Sequence, residues 1–292
     1  TWSTLVGSVY FYIRDMTVPF VLEGVHNTNI PKLALRSDAG TPLAVQLKDV
    51  FIGDLALSYI AMNSATNSLR IEDCTFKIVT FTSIQFTNSV GLLRNFQVHG
   101  MTWTSGGLSS SDLTIEDGAW VSPLNSGDLT VTGFTVESGS NVRIARCALA
   151  SNSPNGLVWR NSPIKSISSL VFEDNHVDVR RSTDAIAIYF YGTSYFNGNS
   201  RVIIRRNYLR SESTSGSSWH GYGIYLRDSA WAIDGASLEF EDNQIFSVKA
   251  GAPDTQGYAI RTYNSPSGSG AALIRFTNNT ISGGIHWRKF HD

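Results

Sequence analysis

The residues of this chain best suited to chemistry are an acid, an imidazole and a group of tyrosines and arginines. Asp184 and His220 each stand four residues before an isoleucine, Ile188 and Ile224, in related phrases. Gln256 holds the same place before Ile260. If the phrases stack, Asp184 and His220 become neighbours, and a carboxylate beside an imidazole can act as general base and acid. Arg227 would then bind the charge of an acidic sugar. The same pair also suits a satisfied polar contact where a strand begins. The isoleucines define a second group. With Ile188, Ile224 and Ile260 pointing inward, alternation turns their neighbours outward. Two exposed columns are expected: Tyr189–Tyr225–Arg261 and Tyr191–Arg227–Tyr263. Tyr and Arg stacked about 5 Å apart interact through cation–π and planar contacts. Such a surface also suits sugar rings, which present apolar C–H faces and hydroxyl edges. Trp219, Tyr195 and Trp231 lie in the adjoining segments.

These groups need elements that bring them together, and the sequence supplies a repeat. SLVFEDNHV (from Ser169), RVIIRRNYL (Arg201), SLEFEDNQI (Ser237) and SLRIEDCTF (Ser68) are versions of one phrase. Its second apolar residue marks Ile13, Leu47, Ile71, Val98, Val131, Phe172, Ile204, Phe240 and Phe276. The last four marks are each followed three residues later by Asn: Asn175, Asn207, Asn243 and Asn279. Asn tolerates the left-handed backbone of a sharp bend. A second phrase alternates with the first, most clearly in GYGIYLRDS (Gly221) and GYAIRTYNS (Gly257). Both phrases have the period of two that belongs to strands, and no stretch reads as an amphipathic helix.

A unit of two or three short strands repeated in this way describes an all-β chain, a right-handed parallel β-helix (solenoid) of about eight to nine coils, and one domain over residues 1–292. At about 4.8 Å per coil the rod is roughly 40 Å long. The competing architecture is a β-sandwich or barrel. The Ser/Gly stretches 105–111, 211–218 and 264–270 are expected as loops. Stacking sets Glu173-Asp174 against Arg205-Arg206 and these against Glu241-Asp242, an exposed acid–base ladder that fixes register. Cys74 and Cys147 take the Asn position of the phrase, several coils apart, and are expected as free buried thiols.

Composition narrows the partners. The 292 residues carry a net charge of −1 and the pI is about 6.6, which argues against nucleic acid. No apolar run reaches the roughly 18 residues of a membrane span. Two cysteines make neither a disulfide framework nor a metal cluster, and no metal or cofactor is implied. Asn278-Asn279-Thr280 is the one N-glycosylation triplet. A start at Thr1 and strands close to both ends lead to the expectation of a segment cut from a longer rod.

SLEFEDNQI, LIRFTNNTI and GYGIYL resemble the right-handed parallel β-helix superfamily of pectate lyases and polygalacturonases. The resemblance implies the fold over most of the chain. It does not imply their activity: there is no Asp-Asp pair, His220-Gly221 lacks a preceding Gly, no Arg-x-Lys occurs, and Thr183-Asp184 only partly matches an Asn-x-Asp strand. The phrasing of SLVFEDNHV and LIRFTNNTI also looks like the dispersed-gene-family surface proteins of trypanosomes, which implies an extracellular or cell-surface place and makes a glycan on Asn278 plausible. The resulting expectation is a non-catalytic adhesion segment that binds glycan or a host or cell-surface protein through its Tyr/Arg face. The alternative is a lyase or glycoside hydrolase of acidic polysaccharide using Asp184, His220 and Arg227. A trimeric phage-like fibre is a third possibility.

Overall fold

A computed structural model describes residues 10–14, 18–27, 29–37, 43–66, 68–121, 128–151, 155–215, 220–228, 231–249, 257–263 and 272–286. Within them the protein is all β-strand and turn, with no helix. The strands form a 12-stranded sheet, a 16-stranded sheet and one short pair. Neighbours in each sheet come from successive repeats and run parallel, as in Ser169–Glu173 against Arg201–Arg205 and Ala185–Tyr191 against Gly221–Arg227. Long parallel sheets of this kind are compatible with a β-solenoid and not with a sandwich, whose sheets are antiparallel.

The inner column is continuous. Phe172 faces Ile204, Ile204 faces Phe240, and Phe240 faces Phe276. Towards the N-terminus the same column runs through Ile144, Ile115, Leu93, Ile71, Leu47 and Leu22. Phe172, Ile204 and Phe240 are fully buried, while Phe276 on the last rung is 43% exposed. Each enclosed aliphatic or aromatic side chain contributes about 1.5–3 kcal/mol. Three expected marks fall elsewhere. Ile13 and Val131 belong to the 12-stranded sheet. Val98 lies past the bend at Asn95, paired with Trp120. The spacing explains these misplacements: it is 22 residues at Glu72–Arg94 and 36 at Asn243–Asn279. Where the repeat is short the strands run almost without a break, so alternation alone does not say which sheet a residue joins.

The bends differ from expectation by one position. The left-handed residues are Asp174, Arg206, Asp242 and Asn278, with φ of 55°, 53°, 54° and 52°. Asn175, Asn207 and Asn243 follow them and point inward, fully buried. Their carboxamides form a ladder. Asn207 Oδ1 accepts from the Asn175 backbone N–H at 2.9 Å and from its Nδ2 at 3.0 Å, while Asn207 Nδ2 donates to the Phe172 carbonyl at 2.9 Å. Asn243 and Asn279 repeat the pattern. Each side chain thereby satisfies backbone groups that a bend removes from the sheet ladder. Cys147 sits on top of this ladder, its N–H donating to Asn175 Oδ1 at 2.9 Å. Cys74 and Cys147 are buried and free. Burial pushes their thiols up, to about 11 and about 12.

The acid–base ladder is present in part: Arg205 and Arg206 close on Glu173 and Asp174, while Glu241 and Asp242, though in register, form no ion pair with them among the described residues. Glu173 is buried, at 2.6 Å from Arg143, 2.6 Å from Arg205 and 2.9 Å from Arg206. Burial pushes its carboxyl up, but the Arg143 and Arg205 hydrogen bonds and charges outweigh this and leave it below the usual range. Arg206 holds Asp174, Arg146 holds Asp117 and Glu116, and Arg94 holds Glu72. Of the three expected loops, 105–109 is strand, inside Gly100–Ser109, and 211–213 ends strand Tyr208–Ser213. The stretch 264–270 lies outside the described residues.

Candidate ligand face

The 12-stranded sheet carries the tyrosines. Tyr189 pairs with Tyr225 and Tyr225 with Arg261; Tyr191 pairs with Arg227 and Arg227 with Tyr263. Both expected columns are therefore in register. They are not bare. Tyr225 is only 8% exposed, and it packs with Ile186 and Tyr222 in a small apolar cluster flanked by Tyr189, Tyr258 and Tyr263. Tyr222 and Tyr258 were not anticipated as members of this face. The pairing of Ala185–Tyr191 with Gly221–Arg227 passes over Ala187 and Gly223. A Cβ at Gly223 would collide with the Ile245 side chain and the Ala259 carbonyl. That break in alternation sets Tyr222 beside Tyr225, with rings 4.9 Å apart and 21° from parallel. The signal in the sequence is the shared Gly-Tyr opening of GYGIYL and GYAIRT, where a small residue follows each tyrosine.

The arginines lie among these rings. The Arg261 guanidinium is 5.1 Å from the Tyr258 ring, 5.2 Å from Tyr222, 5.5 Å from Tyr225 and 6.0 Å from Tyr263. Its Nη1 donates to Tyr222 Oη at 2.6 Å. Arg227 lies 5.5 Å from Tyr191 and 5.8 Å from Tyr263, and its Nε donates to Asp228 at 3.0 Å. Arg160, one rung earlier, covers Tyr191 from the other side at 5.1 Å. Tyr189 stacks on Tyr225 at 5.3 Å and 15°. Burial raises the phenols of Tyr189, Tyr222 and Tyr225, Tyr222 to about 12. At neutral pH the face therefore presents protonated hydroxyls, ring faces and fixed guanidinium groups.

Asp184 and His220 are neighbours, but not as an acid–base pair. The His220 backbone N–H donates to Asp184 Oδ1 at 2.9 Å, and the Ala185 N–H donates to the His220 carbonyl at 3.1 Å. One carboxylate oxygen is engaged at a strand entrance, while the imidazole leans towards the Tyr258 ring at 5.3 Å. Arg227 closes the strand that Gly221 opens, roughly 20 Å away along the chain, so the three groups do not converge on one bond. Among the described residues no three His, Cys, Asp or Glu side chains gather as a metal site. Asn278 is exposed. Trp219, Gln256 and the Trp231 side chain lie outside the described residues. Comparison with protein-family models, with curated proteins and with solved structures gave no match.

Proposed function

We propose that the chain is a right-handed parallel β-helix of about ten coils, one more than expected, and a non-catalytic surface or adhesion segment. The ten in-register positions from Leu22 to Phe276 favour that coil number. Its place is extracellular or on a cell surface, in keeping with the two β-helical families that its phrases resemble. The ligand is a glycan, held on the tyrosine and arginine face; a protein partner is the second occupant of the same face. The observation that carries this reading is the Arg261 guanidinium among four tyrosine rings. Rings fixed by neighbours lose little freedom when a sugar stacks on them.

Asp184 bound to backbone, with Arg227 at the far end of the strand, weighs against a lyase or hydrolase. Glycan-array binding of the wild type and of a Tyr189→Ala, Tyr191→Ala, Arg227→Ala triple variant tests the reading. Loss of binding in a folded variant supports it; unchanged binding removes the face from consideration. Secreted from a eukaryotic host, the chain should carry a glycan on Asn278 that Asn278→Gln removes.

A further inference from the structure

A second concavity lies across the bend at Ser105, on the long strands Ile78–Thr87, Gly100–Ser109 and Leu129–Glu137. Its volume is about 280 Å³, and its lining includes Gln85, Gly107, Ser109, Thr135, Glu137 and Lys165. Register explains its shape. Gly107 stands between Gln85 on one rung and Thr135 on the next. It is the one position of that short column without a side chain, so the strand backbone becomes the floor. A Cβ at Gly107 would strike the Thr135 carbonyl, and one at Gly106, where φ is 109°, would strike the Ile84 carbonyl. The notch thus depends on two glycines whose backbones lie hard against the adjoining strands. On one wall Ser109 pairs with Glu137, and the Val136–Ile164 bridge sets Lys165 beside Glu137.

The charges here behave unlike those of the acid–base ladder. There Glu72, Glu116 and Glu173 are all held by arginines within 2.9 Å. Among the described residues, neither the Glu137 carboxylate nor the Lys165 ammonium forms a hydrogen bond or an ion pair; Lys165 only overlies the Tyr195 ring at 5.5 Å. The notch therefore sets an unspent acceptor, an unspent donor, a carboxamide and two hydroxyls around a backbone floor. An anion drawn to Lys165 is repelled by Glu137, and a cation the reverse, so a charge of either sign gains little net attraction. A polyol suits both, because each hydroxyl can donate to the carboxylate and accept from the ammonium or amide. The volume is just below that of usual small-molecule clefts, about 300–1,000 Å³, which fits a ligand of one ring.

We propose that the notch around Gly107 is a binding site for a neutral pyranose, with Glu137 and Lys165 gripping neighbouring hydroxyls and Gln85 closing the side. The site is separate from the tyrosine face and stands without it. The test is saturation-transfer NMR of the full chain with methyl α-mannopyranoside, methyl β-galactopyranoside and methyl β-glucopyranoside. At least one should bind. Glu137→Gln or Lys165→Met should weaken it about tenfold or more, the loss of one charge-assisted hydrogen bond, while Lys48→Ala, at an exposed position of the other sheet, leaves it unchanged. Gln85→Ala, at an exposed position, serves if either first variant fails to fold. The proposal is overturned if no pyranoside binds, if binding is the same in the folded variants, or if free glycine binds where the pyranosides do not.

Discussion

On the 16-stranded sheet, Glu173 has three guanidinium groups within 2.9 Å. On the 12-stranded sheet, Arg261 has four tyrosine rings within 6.0 Å and, among the described residues, no carboxylate in ion-pair reach. The same stacking produces both outcomes. Where successive rungs alternate acid and base, the column closes on itself and leaves little for a ligand. Where they alternate tyrosine and arginine, the contacts fix the groups in place and cover some ring faces, as on Tyr191, but leave most of the rings half-buried and Arg261 Nε without a partner among the described residues. A ladder whose charges close on one another is a device for register; a ladder of mixed chemistry is a surface prepared for something else.

The largest effect should come from behind the charged face. Asn207→Ala removes the acceptor of two Asn175 donors and the donor to Phe172, and should cost about 3–4 kcal/mol in urea unfolding. If it costs nothing, the amide ladder does not hold the bend. Next is Glu173→Ala, which strands Arg143, Arg205 and Arg206. Those arginines are 36–45% exposed, so the cost is nearer about 2 kcal/mol than that of a fully buried pair. Ligand binding on the other sheet should not change.

The two faces should also part company in pH. The carboxyls of Glu173, Asp174 and Asp117 lie below their usual range. The stability they give is present above about pH 4 and is lost as pH falls through their folded values. The phenols of Tyr189, Tyr222 and Tyr225 are raised, so the unfolded chain gives up those protons first and stability falls as pH climbs from 10 towards 12. The two buried thiols titrate in the same alkaline range. Tyr222→Phe removes the most strongly raised phenol: it should make the alkaline slope shallower and leave the acid slope alone in Tm against pH. The smallest effect on stability belongs to Arg227→Ala, within about 0.5 kcal/mol, although glycan binding should fall tenfold or more.

Much of this was legible in the sequence because stacking copies a local pattern from rung to rung. Phe172 over Ile204 over Phe240, Arg205 and Arg206 beside Glu173, the free thiols and the Tyr/Arg register all follow from aligned phrases; Arg143 as a third partner of Glu173 does not. The Asn residues stand out in the phrase, but their task is to bond the bend from inside, not to form it. A left-handed residue and the inward side chain after it are adjacent, and only backbone angles separate Asp174 from Asn175. Tyr222 was missed because strict alternation puts it on the opposite face from Tyr225; the break at Gly223 brings the two together. The notch at Gly107 is hidden in a Ser/Gly stretch whose composition suits a loop, since a glycine that makes room in a strand has the same letter as one that makes a turn.

The direct test of the account is amide hydrogen exchange of the chain with and without the glycan it captures on an array. Slowed exchange should concentrate in Ala185–Tyr191, Gly221–Arg227 and Tyr258–Tyr263. Slowing centred instead on Ser169–Glu173, Arg201–Arg205 and Ser237–Glu241 would put the ligand on the charged sheet and contradict it.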